Sequence, residues 1–225
     1  LDVILALVPA AICGVCFFGF HALLIIAVCI ASAVAAEFLW CKAVKKETAL
    51  TQALADMLTL KENFETLKGL KVTFCGDGRN NVARSLMLIC AKLGVNFSIF
   101  SPTELFPDKQ ILEICKPFAE QSGAKIEISD DSSIVKGSNC LYTDVWVSMG
   151  EEALKEHRTK LLRPFQVNSD LMAKTGTNDT IFMHCLPAVK EQEATEEVFE
   201  STSSRVWDEA ENRKHTIKAI MLGII

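Results

Sequence analysis

Four short stretches bring together side chains that can bind or react. His184-Cys185-Leu186-Pro187 sets a thiol beside an imidazole, and Asp144-Val145-Trp146-Val147-Ser148-Met149-Gly150 supplies a carboxylate and a hydroxyl. Gly76-Asp77-Gly78-Arg79-Asn80-Asn81 pairs glycines with amides, and Glu209-Ala210-Glu211-Asn212-Arg213 ends on a guanidinium. A cysteine next to a histidine suggests a papain-like nucleophile. Neighbours on an extended chain point to opposite faces, however, so His184 is poorly placed to activate Cys185. A thiol that positions a ligand suits Cys185 better, with a plain buried cysteine as the alternative. Asp144 and Ser148 suit a ligand's ammonium group, although aspartate also caps helices. Arginine's planar fork suits a carbonyl or phosphate oxygen; the bland reading of residues 209–213 is a solvated helix start.

The glycine loop has the residues for a tight turn with free amides behind it. It departs from a dinucleotide fingerprint, because Asn81 stands where G-x-G-x-x-G wants its third glycine and the next strand ends at Ser101 instead of an acid. An ordinary turn with capping asparagines is the alternative.

These stretches need elements to hold them, and the periodicity supplies them. Lys71 to Cys75, Asn96 to Phe100, Lys125 to Ile128, Cys140 to Thr143 and Thr180 to Met183 are short runs with strand composition. Between them, apolar residues at 82, 83, 86, 87, 90 and 93 mark a helical stripe closed by Gly94. A further helix spans about Lys109 to Gln121 and ends at Gly123, and a long last helix covers Asp208 to Ile225. Strands alternating with helices predict an α/β fold with a doubly wound, mostly parallel sheet. In such sheets ligands lie beyond the carboxyl ends of the strands, which is where three of the four stretches fall.

The net charge of -5 and the absence of a basic stripe exclude nucleic acid as a natural partner. Nine cysteines, odd in number and irregular in spacing, argue for a reducing compartment and against a disulfide framework. Cys13-Gly14-Val15-Cys16 lies in an apolar run without a second ligand pair, so redox or zinc chemistry there is disfavoured.

The N-terminal fifth is different in kind. From Val3 to Ala36 the chain runs 34 residues without Asp, Glu, Lys or Arg, which reads as membrane-spanning. One straight helix of that length would be about 51 Å long, so a break is expected near Gly19-Phe20-His21, with a full span from about Ala22 to Trp40. Trp40, Lys42, Lys45 and Lys46 form an interfacial and positive-inside flank that places the rest in the cytoplasm. Charge after the apolar run disfavours a secretory signal; a buried helical hairpin is the remaining alternative. The expected division is a membrane-like helical segment over 1–46, a junction and linker helix over 47–66, and an α/β domain over 67–225.

Taken together, G-D-G-x-N-N, D-V-W-V-S-M-G, H-C-L-P and E-A-E-N-R, with Thr51-Gln52-Ala53-Leu54-Ala55-Asp56 upstream, resemble ornithine carbamoyltransferase from about Thr51 to Ile225. The resemblance implies the amino-acid-binding half of that enzyme, of arginine metabolism. Asn81, Asp144, Ser148 and the backbone near Met149 would hold ornithine's α-amino and carboxylate groups. Cys185 and the carbonyl of Leu186 would lie beside the attacking amine, Arg213 would bind the carbonyl oxygen of carbamoyl phosphate, and Gln52 its amide. It implies no metal or organic cofactor, and homo-oligomers as in the family. Residues 9–46 are similar to the first membrane segments of the D subunit of Rnf/Nqr electron-transport complexes, without that family's flavin-attachment motif.

The departures carry expectations of their own. Ala49-Leu50-Thr51-Gln52 stands where H-P-x-Q would be, and the S-T-R-T-R phosphate loop and its domain have no counterpart. A lost oxyanion donor costs about 2.7–4 kcal/mol, so little activity is expected of the chain alone. Ile217, Ile220, Met221, Ile224 and Ile225 are expected to lie partly exposed, with poor solubility. The alternatives are a membrane-tethered amino-acid-binding module, or a rearranged fusion joined near Glu47 to Thr51.

Overall fold

The computed structural model describes residues 50–147 and 154–224. Expectations for the apolar segment, for membrane contact through residues 3–40 and for Ser148 and Met149 lie outside them. The described residues belong to one compact unit, Thr48–Ile225.

Five short strands form the centre: β1 (Lys71–Cys75), β2 (Asn96–Phe100), β3 (Ile126–Ser129), β4 (Cys140–Thr143) and β5 (Ile181–His184). They pair in the order β3-β2-β1-β4-β5, every pair parallel. Parallel strands must be joined by crossovers, and the helices that make them cover both faces, which is why every strand but the edge strand β3 is almost wholly buried. On one face, α1 (Leu50–Asn63), α2 (Asn81–Leu93) and α3 (Lys109–Ser122) pack Met57, Leu60, Leu86 and Met87 onto Phe74, Phe97, Tyr142 and Met183. On the other, Cys75, Phe100, Leu141 and Phe182 meet Val167, Val198 and Phe199. This side carries α5 (Ser169–Lys174) and α6 (Glu196–Phe199), while α4 (Lys155–Leu162) packs Leu162 in a separate cluster with Leu105 and Trp146. The last helix, α7 (Val206–Ile224), lies along α1.

Sequence periodicity located these elements to within two residues at nearly every end. Helix α2 shows why. Asn80 caps it, its Oδ1 accepting from the amide of Ala83, and Gly94 at φ 75° ends it in the left-handed region, where a side chain would be strained. Leu93, counted in the apolar stripe, is instead 42% exposed; it sits in the last turn, where the helix has run past the sheet.

The α1–α7 contact is polar at its centre. Asn212 Nδ2 donates to Thr59 Oγ1 at 3.0 Å and to Glu62 Oε2 at 2.6 Å, and Arg205 Nε donates to Asn63 Oδ1 at 2.5 Å. Further along α7, Ile217 and Met221 are 37% and 49% exposed, as their sequence positions suggested. Among the described residues no helix is long and apolar enough to cross a membrane.

Candidate functional site

The strand order reverses between β1 and β4, so the loops leaving those two strands diverge and open a crevice between them. At its floor the strand ends are tied together, Thr143 Oγ1 donating to the carbonyl of Cys75 at 2.6 Å. The first wall is the loop Gly76 to Asn80. Gly78 is required there by space: a Cβ would lie 2.9 Å from the Leu105 carbonyl oxygen and 3.0 Å from Ile99 Cγ2. Asp77 fixes this loop from within, accepting from the amide of Arg79 at 2.9 Å. From outside, its other oxygen pairs with Arg158 of α4, a nearly buried guanidinium.

Asp144 leaves the end of β4 and is 9% exposed. Its Oδ2 accepts from Asn80 Nδ2 at 2.5 Å, while its Oδ1 accepts from the amide of Val145 at 2.7 Å and from Cys185 Sγ at 3.0 Å. One carboxylate thus joins the ends of β1, β4 and β5. Burial, and after it the Asp144 charge, push the Cys185 thiol well above its ordinary range. It is therefore protonated at neutral pH and acts as a donor, not as a nucleophile.

His184 does not serve Cys185. Its Nδ1 accepts from the amide of Leu186 at 2.9 Å, while its Nε2 lies 3.3 Å from Glu193 Oε1 without a hydrogen bond to it. Glu193, itself 1% exposed, accepts from the amide of Val189 at 2.5 Å. These bonds hold a tight turn in which Leu186 takes φ 51° and precedes a cis peptide to Pro187. A branched residue rarely adopts that φ.

Beneath this crossing lies a second polar group. Glu209, in the first turn of α7, is fully buried. Its Oε1 accepts from Gln52 Nε2 at 2.8 Å and from Tyr142 Oη at 2.9 Å, and its Oε2 from the amide of His184 at 2.9 Å. Asp56 joins it, its Oδ1 accepting from Gln52 Nε2 at 2.8 Å and from Tyr142 Oη at 3.3 Å. Burial pushes the Asp56 carboxyl up to about 7, with the hydrogen bonds to Glu209, Gln52 and Tyr142, and last the Arg213 charge, opposing the rise. Burial and the neighbouring Asp56 also push Glu209 upward. Asp56 Oδ2 and Gln52 Oε1 have no hydrogen-bond partner.

The residues singled out from sequence therefore fall into two groups. Asp144 and Cys185 meet directly, with Leu186 in the adjoining turn and Asn81 exposed at the first position of α2. Gln52 is turned inward, 5% exposed, while Arg213 is exposed one helical turn beyond Glu209. The solvated helix start envisaged for residues 209–213 is corrected: Glu209 and Asn212 are buried, while Ala210, Glu211 and Arg213 face solvent. Sequence reasoning missed Asn80 as a partner of Asp144, Glu193 as a neighbour of His184, and the whole Asp56–Tyr142–Glu209 group. The one available signal was spacing, since Gln52 and Asp56, like Glu209 and Arg213, are four apart on a helix.

Residues 68–224 match the family model of the Asp/Orn binding domain of aspartate/ornithine carbamoyltransferases. The chain belongs to this family. It is 56% identical over 176 residues to an ornithine carbamoyltransferase of Pseudothermotoga lettingae, a match covering 78% of this chain and 56% of that one. Among solved structures it resembles the ornithine carbamoyltransferase of Pyrococcus furiosus, with TM-score 0.73 and 45% identity over 77% of this chain and 55% of that one. It likewise resembles the enzyme of Gloeobacter violaceus, with TM-score 0.71 and 40% identity over 78% of this chain and 58% of that one. The chain spans about half the length of the curated relatives it matches. Residues 1–60 match the model of the NQR2, RnfD, RnfE family. That match runs into α1, which packs against α7 of the carbamoyltransferase-like unit.

Proposed function

We propose that residues 51–225 carry the ornithine site of an ornithine carbamoyltransferase, the half that receives the amino acid when a carbamoyl group moves from carbamoyl phosphate to ornithine, giving citrulline and phosphate. The observation that carries this is the Asp144 carboxylate, held between the Asn80 amide and the Cys185 thiol at the crevice where the strand order reverses. Asn81, Asp144, Ser148 and the backbone at Met149 hold ornithine's α-amino and carboxylate groups. Cys185 and the carbonyl of Leu186 receive its side-chain amine.

In the reaction the neutral amine attacks the carbonyl carbon, the new C–N bond forms, the nitrogen sheds a proton and phosphate leaves with the C–O bond pair. Charge grows on the carbonyl oxygen, and Arg213, exposed on the helix surface, is the cation to meet it. Gln52 has both amide hydrogens on Asp56 and Glu209, so Oε1, which has no partner, is the atom that can accept from the carbamoyl N–H. Holding both reactants in register supplies the rest.

Equilibrium dialysis of the full chain against labelled ornithine, with and without carbamoyl phosphate, tests this reading. Saturable uptake lost in Asp144→Ala supports it; no uptake under either condition sinks it. Residues 1–225 hold no S-T-R-T-R loop, so the purified chain is expected to make little citrulline, and a rate typical of enzymes would overturn that part.

A membrane tether through residues 3–40 is the second reading. The 34 uncharged residues and the match of residues 1–60 support it. Retention of the chain in a membrane pellet after an alkaline carbonate wash is the expected result, and release into the supernatant would contradict it.

A further inference from the structure

Glu209 is fully buried, and its three bonds go to three separate elements. Gln52 lies on α1, Tyr142 on β4 and His184 on β5. Two of these partners stand next to the site. Tyr142 is two residues before Asp144 on the same strand, and His184 immediately precedes Cys185. In the β4–β5 register Thr143 faces His184, so Glu209 clamps the two strands one step below the Asp144–Cys185 bond. The His184 amide is the last backbone donor of β5, and a carboxylate oxygen, not a neighbouring strand, receives it. One turn further along α7 comes Arg213, so the residue that fixes this end of the helix also sets where the guanidinium stands relative to the thiol.

We infer that Glu209 is the positioning residue of the site. It holds the His184–Cys185–Leu186 turn against Asp144 and ties Arg213's helix to the same strands, without touching substrate. A carboxyl suits this task because its two oxygens accept from three donors on three elements at once. Asp56 shares Gln52 and Tyr142 with Glu209 but has no bond to β5. This makes Asp56 the natural control: it belongs to the same buried group and lacks the contact that matters.

The inference rests on the ornithine reading for its importance, but its test does not. Cys185 is the one half-buried cysteine among the described residues, so its alkylation by iodoacetamide, followed peptide by peptide in the full chain, reports where the turn lies. In Glu209→Gln an amide nitrogen replaces one acceptor oxygen, so one of the donors is left unmatched. Cys185 alkylation is expected to speed up about tenfold, as the thiol leaves Asp144 and ionises more readily. Asp56→Asn is expected to leave that rate within about twofold. Should Glu209→Gln fail to fold, Glu209→Asp keeps the carboxyl but withdraws it by one methylene, and the same acceleration is expected. Equal rates in wild type and a folded Glu209 variant, or equal acceleration in Asp56→Asn, would overturn the assignment. In the unaltered protein the His184 amide should exchange with deuterium as slowly as that of Phe182 in the strand, and rapid exchange would overturn it equally. Ornithine uptake separates the two claims. Wild-type chain that takes up no ornithine, while Glu209→Gln still frees Cys185, removes the ornithine reading and leaves the positioning role standing. Normal uptake with an unresponsive Cys185 does the reverse.

Discussion

The Asp144–Cys185 crossing and the Glu209–Asp56 group lie one strand-step apart and obey opposite rules. The crossing sits at the carboxyl ends of the strands, where Asn80 and Cys185 are half-buried around the buried Asp144. In the proposed site these residues exchange their mutual bonds for bonds to ornithine. The group below is sealed: Glu209 and Asp56 are fully buried, and nearly every polar atom there is committed. Two carboxyls buried together cannot both ionise freely, so the pair holds a proton near neutrality. The contact between the two carboxyls lowers Asp56 and raises Glu209, so the shared proton belongs with Glu209. The contrast shows how a site that must be open is kept rigid. Its adaptable residues are few, and the bonds that fix their backbones lie one layer deeper, where water does not compete.

If this division is right, the largest loss should come from the sealed layer. Glu209→Ala leaves the Tyr142 phenol, the His184 amide and the Gln52 amide without their acceptor, and is expected to cost about 3–5 kcal/mol by urea unfolding. Asp144→Ala, in the open layer, should abolish ornithine uptake at a smaller cost in stability. A stability loss as large as that of Glu209→Ala would erase the distinction between the layers.

Gly78→Ala probes the wall of the crevice. A Cβ 2.9 Å from the Leu105 carbonyl forces the loop to move, for about 1–3 kcal/mol of destabilisation.

The shared proton gives the sealed layer a pH signature. Asp56 is pushed up to about 7 in the folded chain from 3.8, so between those values the folded state holds a proton that the unfolded state has released. Its contribution to stability is present below the unfolded value and is lost as pH rises through about 7. Melting temperature is expected to decline from about pH 5 to pH 8, and Asp56→Asn should flatten the decline. The smallest effect belongs to the surface. Lys190 bridges the exposed Glu196 and Glu200 at the surface, and Lys190→Ala should change neither stability nor ornithine uptake measurably.

The same layering explains what could be read from the sequence. The strands were legible because each is a short apolar run ended by polar or glycine residues, and α2 because its cap, stripe and closing glycine agree. Asp144 and Cys185 were legible because they directly follow strands, where this architecture places its ligands. Glu209 was not, because a lone acid in a charged helix start looks solvated until the helix is packed on the sheet. Its partners are 157, 67 and 25 residues away. Asn80 was recognised as a cap but not as a partner of Asp144, since a capping amide keeps a spare N–H whose use depends on a strand 64 residues away. Gln52 was placed from its motif alone, and only packing shows that its donors are taken.

The most direct test of the central claim is whether ornithine lies against Cys185. Alkylation of Cys185 in the full chain, mapped by mass spectrometry, would be timed with and without millimolar ornithine, carbamoyl phosphate being present in both cases. Slowing that saturates with ornithine, and disappears in Asp144→Ala, is the expected result. A Cys185 rate indifferent to ornithine would contradict the placement of the amino acid between Asp144 and the His184–Leu186 turn.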